Sequence, residues 1–164
     1  MNIFVLDQDI DICARYHADQ HVVKMILESA QMLCTVVNQT GGKAPYKATH
    51  LTHPCTQWAG KSRSNWLWLQ RLVLALNHEY RYRYRVSRDH KSSGVVRDLS
   101  PPPIDDSGLT EFAQVMPDKY KVPGNAVAAY RRFYVGEKYH FAKWTRRRPP
   151  EWFMPGHAPG SPSR

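Results

Sequence analysis

The spacing of apolar residues along the chain predicts three long helices. Apolar side chains recur at three- and four-residue intervals over residues 11–38, 56–84 and 124–144, which is the period of one face of an α-helix. Gly41 and Gly42 follow the first of these ranges, and paired glycines favour the end of a helix. The pattern therefore predicts an all-α protein.

Turn-forming residues dominate the stretch between the second and third predicted helices. Residues 86–124 contain an SSG triplet, three consecutive prolines and an MPD turn, so we predict a long irregular insertion with one short helix near 90–99. At 164 residues the chain fits one domain of about 150 residues. We predict a compact single helical domain over 1–154, and a disordered tail over 155–164 because its composition is PGHAPGSPSR.

The amino-terminal stretch combines a short apolar run with an acidic turn. Residues 3–6 are apolar, and Asp7, Asp9 or Asp11 then offers a side chain to cap the first helix. No apolar run approaches the roughly 18 residues that a membrane span needs. The acidic start is also unlike a signal peptide. We expect a cytoplasmic protein without a membrane partner.

The cysteine pattern argues against two kinds of structural cross-link. The chain has three cysteines, an odd number, and none of them forms a CxxC pair. A disulfide framework and a cysteine zinc site are both disfavoured by this pattern. We expect free thiols, most of them buried.

Positive charge is concentrated near the carboxyl end. The formal charge is +9, and residues 119–148 hold nine Lys and Arg against Glu137 alone. Cations gathered on one surface suit a phosphate backbone, and interleaved aromatic rings suit stacking on bases. A merely solvated basic face, with the aromatics in the core, is the alternative. As DNA-binding residues we predict Arg131, Arg132, Lys138, Lys143, Arg146, Arg147 and Arg148.

A narrow polar stripe runs along the first predicted helix. At about 100° per residue its members share one arc, while the rest of the circumference is largely apolar. An ordinary surface helix has a broad charged face, so this stripe is expected to face a cleft. The alternatives are a narrow solvated stripe and an internal polar network. The stripe consists of His17, His21, Lys24, Glu28 and Gln31.

Glu28 and His21 are the proton-transfer candidates within the stripe. Lys24 and Gln31 flank Glu28 within one turn, an arrangement that can hold a carboxylate ionised and directed at a substrate. His21 lies two turns earlier on the same face. A surface ion pair between Lys24 and Glu28 is the competing interpretation. The flanking residues His17, Lys24 and Gln31 are predicted to contact substrate or DNA.

Histidine spacing gives a weak metal signal. His17 and His21 lie one helical turn apart, and His50 and His53 add a second pair. The chain has no HExxH motif and no cysteine ligand set. We therefore predict neither a metal nor a cofactor, and a metal-dependent hydrolase stays an alternative.

Three blocks of sequence resemble the bacteriophage pyrimidine-dimer DNA glycosylase family, also called phage endonuclease V. The string Ala18-Asp19-Gln20-His21, followed seven residues later by Glu28, matches an A-D-Q-H string that precedes the catalytic glutamate of that family. The second helix, around 66–79, is similar in pattern, and Glu137-Lys138 with 148–153 resembles the family's ending. The string HVVKMILE also resembles a group of uncharacterised phage proteins, which implies no activity.

The resemblance implies an all-helical enzyme that attacks the sugar carbon of a nucleotide with its own terminal amine. Glu28 then corresponds to the catalytic glutamate, His21 to the active-site histidine, and the amine of Met1 to the nucleophile. The family exposes threonine after losing its initiator Met, whereas Asn2 here favours retention of Met1. Leu27 and Gln31 stand where the family has arginines.

Together these patterns predict a DNA-binding enzyme that acts on a base or its N-glycosidic bond. The substrate is expected to be double-stranded DNA with a flipped or exposed nucleotide. Both a glycosylase/AP lyase of DNA repair and a base-modifying variant of the same scaffold fit, in the host cytoplasm if a phage encodes the chain. No obligate protein partner is evident. A non-catalytic nucleic-acid-binding phage protein is the class-level alternative.

Overall fold

Six α-helices and no strand occur in residues 1–155, the part of the chain that the computed structural model describes. The all-α prediction is confirmed. The predicted disordered tail lies outside the described residues, apart from its first residue. None of the described helices has the length and apolarity that crossing a membrane requires. The helices are α1 (Ile10–Tyr16), α2 (Asp19–Gln39), α3 (Pro54–Lys61), α4 (Arg63–Tyr84), α5 (Lys91–Arg97) and α6 (Ala126–Phe133).

The prediction of one helix over 11–38 is wrong, because the chain breaks between α1 and α2. His17 and Ala18 both have extended backbones, with ψ of 132° and 155°. The N–H of Ala18, which a continuous helix would use internally, donates to the hydroxyl of Tyr134 at 3.2 Å. Asp9, one of the three predicted caps, accepts from Ile12 N at 2.9 Å at the start of α1.

The predicted helix over 56–84 is likewise two helices. Ser62 is extended, with φ −150° and ψ 144°, and its hydroxyl donates to Asp106 in the insertion at 3.0 Å. The end of α4 agrees with the prediction, because Arg85 adopts a left-handed conformation with φ 52° directly after Tyr84.

The third predicted helix, 124–144, is shorter than expected. It begins at Ala126 and ends in a single π-helical turn over Tyr134–Lys138. Gly136 in this turn allows Tyr120 to pack closely, because a Cβ at that position would lie 2.3 Å from the Tyr120 hydroxyl. The short helix expected near 90–99 is α5.

Helix α2 is the centre of the fold and packs against α3, α4 and α5, while α1 packs against α4. Its buried face includes Ile26, Met32 and Leu33, and Trp66 of α4 is fully buried and donates its indole N–H to the Leu33 carbonyl at 3.3 Å. This arrangement leaves the amino-terminal half of α2 beside the start of the chain.

The first six residues run through the core without forming a helix or a strand. Phe4, Val5 and Leu6 are at most 4% exposed, and burying each such side chain contributes about 1.5–3 kcal/mol. Asn2 is held by donation from its amide to the Val115 carbonyl at 2.8 Å. It also accepts from the Tyr130 hydroxyl at 2.8 Å. The position of Met1 is therefore fixed by its neighbours.

Candidate active site

A small cavity lies between the amino terminus, α2 and the π-helical turn. Its volume is about 160 Å³. All three residues predicted to be catalytic line it, together with two of the predicted DNA-binding lysines. The lining is Met1, Asn2, Phe4, His21, Lys24, Met25, Glu28, Phe133 and Lys138.

The α-amino group of Met1 and the carboxylate of Glu28 form an ion pair in this cavity. The amino nitrogen lies 3.6 Å from Glu28 Oε1, and the two side chains are 4% and 15% exposed. The other carboxylate oxygen, Oε2, is buried and has no hydrogen-bond partner among residues 1–155. Lys24, one turn earlier, makes no ion pair with Glu28 within the described part of the chain. Glu28 therefore pairs with the terminal amine through Oε1, and its Oε2 makes no hydrogen bond within residues 1–155.

His21 forms one wall of the cavity. Its ring stacks on Phe4 with centroids 4.3 Å apart, and Nδ1 lies 2.6 Å from the hydroxyl of Tyr134. Burial, with smaller contributions from the charges of His17, Lys138 and Lys24, lowers the pKa of His21 to about 3. The ring is therefore neutral at neutral pH.

Two lysines add positive charge to the cavity. Neither Lys24 nor Lys138 has a carboxylate within ion-pairing distance in residues 1–155, and the ammonium of Lys138 lies 4.7 Å above the ring of Phe133. Burial lowers the pKa of Lys138, and the charge of Lys24 adds to this effect. Two unpaired cations at one opening favour an anionic group of the ligand.

The two remaining members of the polar stripe do not reach the cavity. His17 follows α1, is 0% exposed, and donates from Nδ1 to the Cys13 carbonyl at 2.7 Å. The prediction that it contacts substrate or DNA does not fit this burial. Gln31 lies about one turn beyond Glu28 on α2 and does not line the cavity. The stripe that faces the cavity is therefore His21, Lys24 and Glu28.

Several residues near the site fall outside the prediction of its catalytic and binding residues. Asn2 holds the terminus, and Tyr134 orients His21, through contacts that span more than a hundred positions. His53 lies near the terminal amine: burial lowers its pKa, and the charge of that amine lowers it further. A spacing argument along one helix cannot identify such residues.

The two buried histidines predict a loss of stability in acid. Burial lowers the pKa of His17 to about 4 and that of His21 to about 3, from the ordinary 6.5. Below pH 6.5 the unfolded chain therefore binds protons that the folded chain does not, and stability falls with decreasing pH. At pH 5 each histidine is expected to lower the free energy of unfolding by about 2 kcal/mol, because each pH unit below 6.5 contributes about 1.36 kcal/mol.

Urea unfolding at pH 7.5 and pH 5.0 measures this loss, and His17→Leu should reduce the difference by the roughly 2 kcal/mol expected from His17. Equal free energies of unfolding at the two pH values, or an unchanged difference in the variant, would contradict the assignment.

The basic segment is divided between structural and free cations. Arg131 pairs with Asp7 at 2.9 Å, and Arg147 pairs with buried Glu79 at 2.7 Å. Burial alone would raise the pKa of Glu79, but hydrogen bonds from Arg147 and Arg83 outweigh it and lower that pKa. These two predicted DNA-binding arginines therefore each pair with a carboxylate within the fold.

The other predicted DNA-binding residues of this segment lie nearer to solvent. Arg146 is exposed, lies over the Tyr82 ring with its guanidinium carbon 4.1 Å from the centroid, and donates to the Tyr82 carbonyl at 2.7 Å. Arg132, Lys143 and Arg148 are exposed and have no carboxylate partner in residues 1–155. These three side chains are free to contact phosphate.

The thiols and the histidine pairs form no metal-binding group. Cys13, Cys34 and Cys55 are free and buried. Over residues 1–155, no three His, Cys, Asp or Glu side chains gather closely enough to hold an ion. His17 and His21, which lie one helical turn apart in the sequence, have different hydrogen-bond partners. His17 bonds to the Cys13 carbonyl, and His21 bonds to the Tyr134 hydroxyl.

The cavity therefore brings together a terminal amine, a carboxylate with a free oxygen, a neutral imidazole and two unpaired lysines. This set can form an imine with a carbonyl carbon and can bind an anion next to it. No protein-family model matches the chain, and comparisons with curated proteins and with solved structures gave no significant match.

Proposed function

We propose that this protein binds DNA and attacks C1′ of a base-free or extruded nucleotide with the α-amino group of Met1. The observation that carries the proposal is the ion pair of that amine with Glu28 in a cavity also lined by His21. The resemblance to the phage glycosylase family supports the same three residues independently. Proteins use amines in this way to form covalent intermediates with carbonyl carbons.

Glu28 supplies the proton transfers that this chemistry needs. The carboxylate takes a proton from the Met1 ammonium, and the uncharged amine then adds to the aldehyde carbon of an abasic site. The resulting carbinolamine loses its oxygen as water with the proton returned by Glu28, which leaves an iminium ion. In a nucleotide that still carries its base, the same attack breaks the C1′–N bond, and the base leaves with that proton.

The size of the cavity favours the sugar as the group that enters. A volume of about 160 Å³ is well below the 300–1,000 Å³ of ordinary ligand pockets. It is the volume that about five water molecules occupy in the liquid, at roughly 30 Å³ each. We therefore expect the sugar to enter the cavity. The unpaired ammonium groups of Lys24 and Lys138 are suited to bind the phosphates on either side of that sugar.

The free cations outside the cavity support a DNA partner. Replacing Arg132, Lys143 and Arg148 together by Ala is expected to weaken DNA binding and to make its salt dependence shallower, by about 0.9 in log–log slope for each phosphate that is no longer neutralised. Fluorescence anisotropy titrations between 50 and 200 mM salt measure both quantities.

A matched control removes the same charge elsewhere. Lys43, Lys47 and Lys91 are exposed residues beyond the carboxyl-terminal end of α2 and at the start of α5, and their triple Ala variant should keep the wild-type slope. Equal losses of DNA affinity in both triple variants would mean that only the net charge of the protein matters for binding. No loss in the first variant would remove its residues from the interface.

Borohydride trapping on DNA tests the proposal directly. A duplex with one abasic site should give a covalent complex with the protein in the presence of borohydride and chelator, because hydride reduces an iminium ion to a stable amine. A duplex with a tetrahydrofuran abasic analogue, which has no aldehyde, should give none. Tight binding to the abasic duplex without trapping would support the non-catalytic alternative and overturn the enzymatic proposal.

A further inference from the structure

We propose that Tyr134 fixes His21 in the tautomer that carries its proton on Nε2, so that His21 is a neutral hydrogen-bond donor inside the cavity. The acceptor is the oxygen attached to the carbon that is attacked, either an aldehyde or a sugar oxygen. This identification of the acceptor rests on the proposed function, whereas the tautomer does not.

The tautomer follows from the hydrogen bonds of one buried hydroxyl. Tyr134 is 0% exposed, and its oxygen accepts from the N–H of Ala18 at 3.2 Å. A buried hydroxyl hydrogen needs an acceptor, and in residues 1–155 the acceptor within reach is His21 Nδ1 at 2.6 Å. Nδ1 therefore carries the lone pair, and a neutral ring must then carry its proton on Nε2.

The protonated nitrogen is directed into the cavity. Nδ1 faces the buried hydroxyl, so Nε2 lies on the far side of the ring. Within the described residues, His21 Nε2 makes no hydrogen bond, but it is not buried. By contrast, His17 Nε2 is buried and makes no hydrogen bond. Phe4 stacks at 4.3 Å with an interplanar angle of 14°, and Phe141 packs edge-on at 5.4 Å. These contacts hold the ring in one orientation.

A neutral donor suits the reaction better than a charged one at this position. Lys24 and Lys138 already place two cations at the cavity, and burial keeps the pKa of His21 at about 3. An N–H group fixed beside an oxygen that gains negative charge stabilises the transition state. Neutral imidazole serves elsewhere as a donor of this kind to a carbonyl oxygen.

The tautomer can be measured without any substrate. Nitrogen-15 NMR of the full-length protein should show His21 with a pyrrole-type Nε2 and a pyridine-type Nδ1. His17 is the internal reference, because its Nδ1 donates to a carbonyl and it should show the reverse pattern. Tyr134→Phe should abolish the fixed tautomer of His21 and leave the His17 signals in place. A protonated Nδ1, or a mixture of tautomers in the wild type, would overturn the proposal.

The donor role is tested by a pair of variants. His21→Leu removes the N–H and should slow trapping of the abasic duplex by about 10²-fold, the usual scale for one such donor. His21→Gln keeps an amide N–H near the position of Nε2 and should recover part of that loss, although an amide cannot act as acid or base.

Equal inactivity of the two variants, with melting temperature and DNA affinity retained, would overturn the donor role. Absence of trapping in the wild type would overturn the proposed function and the identity of the acceptor. The NMR result would still decide the tautomer.

Discussion

Glu28→Gln is expected to slow covalent trapping on an abasic duplex by about 10²-fold or more, the usual scale for a general acid or base. The carboxylate oxygen lies 3.6 Å from the Met1 amine, and an amide cannot take the proton that the amine must lose. Gln keeps the shape of the side chain, so folding and DNA affinity should stay close to wild type. Single-turnover trapping rates, melting temperature and anisotropy on one preparation measure all three.

Glu111→Gln is the matched control for this variant. Glu111 is exposed and makes no ion pair in the described part of the chain, so the same chemical change there should leave trapping unaltered. If Glu28→Gln is destabilised but traps at the wild-type rate per folded molecule, Glu28 is structural and the assignment of the base is wrong.

Extension of the chain by Gly-Ser ahead of Met1 is expected to abolish trapping. Two added residues carry the terminal amine up to about 7 Å away from its present position, at roughly 3.3–3.6 Å per residue. Met1 then has a peptide nitrogen, which is not a nucleophile. Trapping should fall to the level seen without protein, while Lys24, Lys138 and Glu28 remain present.

The same dipeptide added after Arg164 is the control for the extension, and DNA affinity reports whether the added residues simply block access. An amino-terminally extended protein that binds the abasic duplex and traps it at the wild-type rate would exclude the Met1 amine as the nucleophile.

The sequence allowed part of the site to be predicted, because its chemistry depends on spacing within one helix. His21, Lys24 and Glu28 follow the helical period, and the resemblance added Met1. The convergence of these residues on one cavity needs the buried amino-terminal segment, which is fixed by Asn2, Val115 and Tyr130. Such contacts join residues more than 110 positions apart, so a local sequence pattern cannot predict them.

The sequence pattern does not predict the two helix breaks, because they too depend on residues that are distant in sequence. Neither His17-Ala18 nor Ser62 is a glycine or proline, and the apolar period continues across both positions. Each break is stabilised by a partner distant in sequence, the Tyr134 hydroxyl for Ala18 and Asp106 for Ser62. The first break also places His17 outside α2, so it is separated from the stripe and buried against the Cys13 carbonyl.

Peptide mapping of the trapped complex identifies the nucleophile among the three amines that line one cavity. After reduction with borohydride and digestion of protein and DNA, mass spectrometry locates the sugar remnant on the chain. We predict the remnant on the α-nitrogen of Met1. A remnant on the side chain of Lys24 or Lys138, with an unmodified Met1, would contradict the assignment of the terminal amine.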